Sequence, residues 1–205
     1  MDAPNRLTDR KRQAILKAAA DQFRTYGFDA TSVDRIAVAA GVSKRTIYNH
    51  FPSKDELFTE TLVQLFQTGA SALDIPYSSK VGLREQLTEL LAHKMRTLAD
   101  RDFIDLARVA IAEAIHAPER ARAMFDRLGE REEGPTAWIR AAQADGKLKP
   151  GDPGFASTLL QGQLKTFAFW PQVTLGAAPL GLDEQARVIE ASVSMFLAYF
   201  GTGAA

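Results

Sequence analysis

The chain has 205 residues, of which 46% are hydrophobic and 24% charged, and its formal net charge is zero. This composition is typical of one or two globular domains and excludes a disordered chain, while the lack of cysteine excludes disulfides, thiolate nucleophiles and cysteine-built zinc sites. The polar N-terminal segment is no signal peptide and no apolar stretch reaches bilayer length, so we expect a cytoplasmic protein with no membrane partner.

The charges are divided unevenly along the chain. Residues 1–54 hold ten Lys or Arg against five Asp, a balance of +5, and residues 55–205 carry −5. A basic head on an acidic body is expected if only the head meets phosphate.

The first predicted helix runs from Thr8 to Gly27, after an arm of residues 1–7. Its apolar residues recur at helical spacing, and glycine suits its end. The three basic residues at 10–12 are either contacts to DNA phosphates or ordinary solvated charges.

Two short helical patterns then flank Gly41. Thr31 and Ser32 are N-cap residue types, and Asp34 takes the place of the usual capping-box Glu or Gln. Gly41 can end the first helix at little steric cost because glycine readily adopts positive φ. Ser43 is a new N-cap, so a second helix restarts at once, and the pattern predicts a helix-turn-helix.

The second helix is expected to end at Pro52, with Ile47 and Phe51 on its buried side. Its other side is rich in amide, hydroxyl and cationic groups, which can reach base edges and phosphates in the major groove. The alternative is a solvated face on an ordinary helical hairpin. The predicted DNA-binding residues are Thr31, Ser32, Ser43, Lys44, Arg45, Thr46, Tyr48, Asn49, His50 and Lys54.

From about Arg10 to Leu65 the chain resembles the DNA-binding domain of TetR-family transcriptional regulators. The resemblance rests on the run ILKAAADQFRTYGFDATSVDRIAVAAGVSKRTIYNHFPSKDELF, which includes a Tyr-x-His-Phe string at 48–51. The remainder resembles the family in length and helical character, nearest to its branch with an AefR-like C-terminal domain.

This resemblance implies separate roles for the exposed side chains of the head. The implied groove-facing residues are Lys44, Arg45, Thr46 and Asn49. The implied phosphate contacts are Tyr48, His50, Lys54 and either Thr31 or Ser32. Lys54→Ala should then weaken binding to all sequences and flatten its salt dependence, whereas Arg45→Ala should alter the preference among operators.

The rest of the chain is also predicted to be helical. A helix from Ser53 continues to about Leu73, and the resemblance implies that it transmits the ligand state to the head. The later helical patterns cover about 82–100, 102–117, 118–144 (one kinked helix or two), 154–173 and 183–200. The fold is therefore predicted to be all-α with nine or ten helices, a DNA-binding domain at 1–54 and an effector-binding and dimerisation domain at 55–205.

The predicted body carries many aromatic residues with few interleaved charges. An apolar cavity with a few polar groups is what a hydrophobic ligand requires, although ordinary core or dimer contacts are the alternative. The resemblance implies that some of these residues line a pocket for a small hydrophobic effector. The candidates are Leu62, Phe66, Met95, Phe103, Ala107, Ile111, Phe125, Trp138 and Phe167.

The last two long helices carry more apolar surface than one buried stripe requires. Part of it is expected to meet a second subunit, and the alternative is complete burial in a monomer. The resemblance implies a two-fold homodimer that places two reading helices on one palindromic double-stranded DNA operator. The candidates are Phe169, Trp170, Val193, Met195, Phe196 and Phe200.

Enzymatic chemistry has little support. The three histidines, His50, His93 and His116, lie on separate predicted helices, and HExxH, phosphate-loop and GxSxG motifs are absent. We expect no catalytic residues, no metal and no cofactor. The sequence predicts a homodimeric repressor that a small hydrophobic effector releases from its operator. The alternatives are a DNA binder without an effector, an activator, and a helical bundle that binds or transforms a small molecule.

Overall fold

A computed structural model describes residues 3–71, 75–119, 122 and 134–203. The predicted all-α fold is confirmed, since every regular element in these residues is a helix. The helices are α1 (Ala3–Ala30), α2 (Val33–Ala40), α3 (Lys44–His50), α4 (Lys54–Ser71), α5 (Leu83–Ala99), α6 (Arg101–His116), α7 (Gly134–Ala144), α8 (Pro153–Ala168), α9 (Trp170–Leu175) and α10 (Leu182–Phe200).

Two helix boundaries differ from the predictions. The first helix begins at Ala3, five residues before the predicted start at Thr8, and Gly27 breaks its path with φ 75° and ψ 177°. The helix predicted over 154–173 is divided at Phe169. Proline at 171 explains the division, because it has no N–H to continue the hydrogen-bond pattern of α8. Residues 120, 121 and 123–133 of the helix predicted over 118–144 lie outside the described residues.

The chain forms two compact units. The first contains residues 1–66 and 105–130, and the second contains 67–104 and 131–205. These units are defined by packing, so the predicted functional boundary after Lys54 stays a prediction.

The first unit is held by an apolar core shared by α1 to α4 and α6. Phe23 lies 5.9 Å from Phe28 and 4.9 Å from Phe58 between ring centroids, so three aromatic rings join α1 to α4. Burying a side chain of this size stabilises the fold by roughly 1.5–3 kcal/mol, so this core can hold the short helices α2 and α3 in place.

The second unit packs α10 on α5 and α8, and α7 on α8. Its interior also holds polar side chains that bind backbone groups. Gln86 is buried and donates through Nε2 to the carbonyls of Ser78 (2.8 Å) and Val81 (2.7 Å). Its Oε1 accepts hydrogen bonds from the Ser78 N–H at 2.8 Å and from Trp138 Nε1 at 3.2 Å. One amide therefore fixes the segment before α5 to the core.

A short antiparallel bridge holds the C-terminal end of α10. Leu148 pairs with Gly201, the Lys149 N–H donates to the Phe200 carbonyl at 2.7 Å, and Lys149 Nζ donates to the Tyr199 carbonyl at 2.6 Å. A Cβ at position 201 would lie 2.5 Å from the Leu197 carbonyl oxygen. Glycine is therefore required where the chain leaves α10.

Candidate nucleic-acid interface

The turn between α2 and α3 is built from backbone hydrogen bonds around one glycine. Gly41 ends α2 in the left-handed region at φ 66° and ψ 32°, and its N–H donates to the Val38 carbonyl at 3.2 Å. The Val42 N–H donates to the Ala37 carbonyl at 3.0 Å, which completes a Schellman-type ending. The turn leaves the chain ready to restart a helix at Ser43.

Serine hydroxyls cap both helices of the motif. Ser32 Oγ accepts from the Arg35 N–H at 3.3 Å, and Ser43 Oγ accepts from the Thr46 N–H at 3.1 Å. Ser43 Oγ also lies 2.8 Å from Thr46 Oγ1. These hydroxyls satisfy N–H groups that have no partner within the helix, so they first support the shape of the surface.

Two buried anchors orient α3. Ile47 and Phe51 are almost fully buried in the core of the first unit. The residues between and around them are left on the surface: Lys44, Arg45, Tyr48 and Asn49 are exposed, and Thr46 and His50 are half-buried. The predicted division of this helix into a buried and a polar side is thus present in the structure, whereas each residue's contact with DNA stays a prediction.

Lys44 already has a partner on the exposed surface. Its Nζ donates to Asp34 Oδ2 of α2 at 2.9 Å, and both side chains stay largely exposed. The hydrogen bond to Asp34, followed by its negative charge, raises the pKa of Lys44 above the usual value. The sequence predicts Asp34 in a capping box, but Ser32 alone caps α2, and the Asp34 carboxylate reaches α3 instead.

Lys54 is held by the first unit itself. Its Nζ donates to the Asp29 carbonyl at 3.2 Å and lies 4.4 Å from the centroid of the Phe28 ring. The Lys54 ammonium group therefore already has partners at the start of α4. If it also contacts a DNA phosphate, as predicted, the phosphate must share the ammonium group with the Asp29 carbonyl and the Phe28 ring.

The predicted choice between Thr31 and Ser32 is narrowed by burial. Thr31 is 2% exposed, and its Oγ1 donates to the Gly27 carbonyl at 2.6 Å and the Gln22 carbonyl at 3.0 Å. A hydroxyl buried in this way supports the end of α1 and cannot reach a phosphate, which corrects the assignment of Thr31. Ser32 is half-buried and stays a candidate.

The other basic residues of the head differ in their surroundings. Arg12 pairs with Glu60 of α4 and lies 5.2 Å from the centroid of the Phe51 ring, whereas Arg10 and Lys11 are exposed. Arg35 is not among the residues that the sequence predicts to bind DNA, and its guanidinium lies 5.1 Å from the ring centroid of the exposed Tyr26. Only the fold brings α1 and α2 close enough to reveal this pair.

The predicted effector residues occupy different surroundings in the two units. Leu62 and Ala107 are buried in the first unit and Ile111 is half-buried there, while the Phe125 residue and the Phe66 side chain lie outside the described part. In the second unit, Met95, Phe103 and Trp138 are buried. Phe167 is 54% exposed, so its place in an enclosed pocket is corrected to the surface of α8. The pocket itself stays a prediction.

The predicted interface residues divide in the same way. Val193 is fully buried and Phe196 nearly so in the second unit, which removes them from a direct contact with a partner. Trp170 and Met195 are exposed, and Phe169 and Phe200 are half-buried. Helices α8 and α10 carry further exposed apolar residues, which are Phe155, Leu159 and Phe167 on α8 and Tyr199 on α10.

Within the described residues, no set of three or more His, Asp or Glu side chains could hold a metal ion. His93 Nδ1 lies 2.9 Å from Arg96 Nη2, an ordinary contact along α5. In the same part of the chain, no helix combines the length and apolarity needed to cross a membrane.

Comparison with known proteins gives two family matches. The model described as bacterial regulatory proteins, tetR family, matches residues 15–61, and the model described as AefR-like transcriptional repressor, C-terminal domain, matches residues 85–202. The HTH-type transcriptional regulator RutR of Escherichia coli (strain K12) is 31% identical over 175 residues, which cover 82% of this chain and 79% of RutR.

Two solved structures are similar over nearly the whole chain. A TetR family transcriptional regulator from Pseudomonas syringae pv. tomato str. DC3000 has a TM-score of 0.78 and 52% identity, covering 94% of this chain and 97% of that one. The flavonoid-responsive regulator FrrA has a TM-score of 0.71 and 31% identity, covering 96% of this chain and 100% of that one.

Proposed function

Because the chain belongs to the TetR family of DNA-binding transcriptional regulators, we propose that it is a homodimeric repressor that a small hydrophobic effector releases from a palindromic operator. The observation that carries the proposal is the surface of α3. Ile47 and Phe51 anchor this helix in the core, and a polar and cationic side is left free to enter a major groove. In this role Arg45 and Asn49 read base edges, and His50 and Tyr48 contact the backbone.

Dimerisation is supported by the apolar surfaces of α8 and α10. Phe155, Leu159 and Phe167 recur along α8 at spacings of four and eight residues, and Met195 and Tyr199 lie four apart on α10. Side chains at these spacings share one side of a helix, so each helix offers an apolar stripe to a partner. A two-fold contact through these stripes would present two copies of α3 to two half-sites.

An effector of aromatic or apolar character is supported by the second unit's interior. Phe103 and Trp138 are buried there, and the Phe103 ring lies 6.4 Å from that of Phe169. The relative whose name states a response to flavonoids supports the same ligand class. An effector acts as a release signal only if it binds more tightly to the conformation that fits the operator poorly.

The proposal is tested first with DNA. Fluorescence anisotropy would compare the wild-type protein on the DNA upstream of its own coding region with a scrambled duplex, at two salt concentrations. We expect tighter binding to the upstream DNA and a steep fall of affinity with salt, because bound phosphates release counterions. Arg45→Ala should lower the ratio of specific to scrambled affinity. Equal losses on both duplexes would show that Arg45 reads no bases.

The effector part needs a separate measurement. A panel of flavonoids and other small aromatic compounds would be added to the preformed protein–DNA complex. Release of DNA at ligand concentrations that also raise the protein's unfolding temperature would support effector control. Stabilisation without DNA release would mean that the ligand does not distinguish the two conformations.

A further inference from the structure

Asp34 on α2 and Lys44 on α3 form an ion pair, and its role in DNA binding rests on the proposed contact of α3 with DNA. The two residues are ten positions apart, and their charged atoms lie 2.9 Å apart. The Lys44 side chain is 50% exposed and the Asp34 side chain is 68% exposed. An acid so exposed beside a surface that is to meet phosphates needs an explanation.

Stability is a weak explanation for this pair. Both side chains remain in contact with water, and exposed ion pairs contribute little because solvent and salt screen them. The Asp34 carboxylate does, however, accept a hydrogen bond from the Lys44 ammonium group, which could otherwise bind a phosphate.

We propose that Lys44, which the family resemblance places on the groove-facing side, contacts a DNA phosphate, and that Asp34 restrains this attraction and thereby lowers the protein's affinity for DNA of any sequence. Lys44 must exchange the Asp34 carboxylate for a phosphate when the protein binds DNA. The ion pair therefore reduces the binding free energy that sequence-independent contacts contribute. Base-reading contacts by other residues are not reduced in the same way. Because Lys44 can meet a phosphate on any duplex, Asp34 lowers the affinity for operator and random DNA by the same factor and so weakens retention on DNA that lacks an operator.

The test is Asp34→Asn, which removes the charge but keeps a side chain of the same shape. Binding to a fluorescein-labelled duplex of random sequence would be measured by anisotropy over a series of salt concentrations. We expect the dissociation constant to fall roughly two- to five-fold at low salt, the range set by an exposed ion pair. The slope of log affinity against log salt should steepen by up to about 0.9, because one more phosphate is neutralised fully.

Three controls separate this role from others. Asp21→Asn removes an exposed acid on α1 that is also paired, at 3.0 Å to Arg24, and it should leave the affinity unchanged. Asp34→Glu keeps the charge and should keep the wild-type affinity. In a Lys44→Ala background, Asp34→Asn should give no further gain.

Each outcome decides a different question. An unchanged or weaker affinity of Asp34→Asn, with a wild-type circular dichroism spectrum, would overturn the inference. An equal gain without Lys44 would overturn it too, since Asp34 would then repel DNA directly. If the wild-type protein shows no salt-dependent DNA binding at all, the proposed function fails, which is distinguishable from failure of the inference.

Discussion

The surfaces of α3 and of the α8–α10 pair differ in what they leave in contact with water. The surface of α3 exposes charged and amide groups around two buried anchors, whereas α8 and α10 expose aromatic and aliphatic side chains beside a buried core. Hydrated polar groups are stable in the free protein and can exchange water for phosphate or base edges. Apolar groups exposed to water raise the free energy of the protein, and the free energy falls when another apolar surface covers them.

The two surfaces should therefore respond differently to mutation. On α3, a substitution removes particular contacts or one helix cap, so effects on binding should be moderate and separable. On α8 and α10, a single charge would disturb a continuous contact area. We therefore expect the largest effects on the apolar surface and the smallest at side chains already engaged within the head.

The largest effect is expected for Met195→Glu on α10, which should weaken the proposed dimer. The Met195 side chain is 54% exposed, and a carboxylate buried there in a dimer would lack a partner. We expect the dissociation constant of the dimer to rise roughly 30-fold or more, which is the effect of losing an interface hot spot of about 2 kcal/mol. Sedimentation velocity would measure this dissociation constant. Thr88 is exposed on α5, and Thr88→Glu is the control. A fully dimeric Met195→Glu protein would exclude this surface as the interface.

A substitution in the bridge that supports α10 should have the next largest effect. In Gly201→Ala the new methyl group would lie 2.5 Å from the Leu197 carbonyl oxygen, so the backbone must shift. We expect a loss of roughly 1–3 kcal/mol in unfolding free energy, measured by thermal and urea denaturation. Gly82→Ala is the matched control, since nothing lies within 4 Å of a Cβ there. Equal stability of the two variants would show that the bridge yields without cost.

On the polar surface, Ser43→Ala should weaken the start of α3. The Thr46 N–H loses the acceptor that now lies 3.1 Å away, and loss of such a cap costs about 1 kcal/mol. Affinity for operator and scrambled DNA should fall by the same factor, because the helix is disturbed as a whole. Ser43→Asn retains an acceptor and should restore most of the affinity. A change confined to the operator would instead assign Ser43 a direct contact with bases.

The smallest effect is expected for Lys54→Ala. The ammonium already binds the Asp29 carbonyl and the Phe28 ring, so its loss should destabilise the first unit by about 0.5–1 kcal/mol. Affinity should fall slightly on all DNA, with an unchanged salt slope. This expectation differs from the sequence-based one, in which a lost phosphate contact flattens the slope. A slope reduced by about 0.9 would favour the sequence-based role.

Much of the DNA-binding head could be predicted because its signals are local. The turn at Gly41 and the cap at Ser43 each depend on a few neighbouring residues, and both are present. The apolar spacing likewise predicted that Ile47 and Phe51 are buried. Contacts between distant residues could not be predicted in this way, because Lys54 meets Asp29 across 25 positions and Arg12 meets Glu60 across 48.

The sequence alone therefore determined the helical fold class and the order of its motifs, since helix periodicity and capping follow from neighbouring residues. Only the tertiary structure decided which apolar residues face the core and which face water, as with the fully buried Val193 and the exposed Met195 two positions later. It also decided that Lys44 faces an acid and that Thr31 is enclosed. The physical reason is that burial and charge pairing depend on which helices pack together, and local sequence patterns do not show which helices are neighbours.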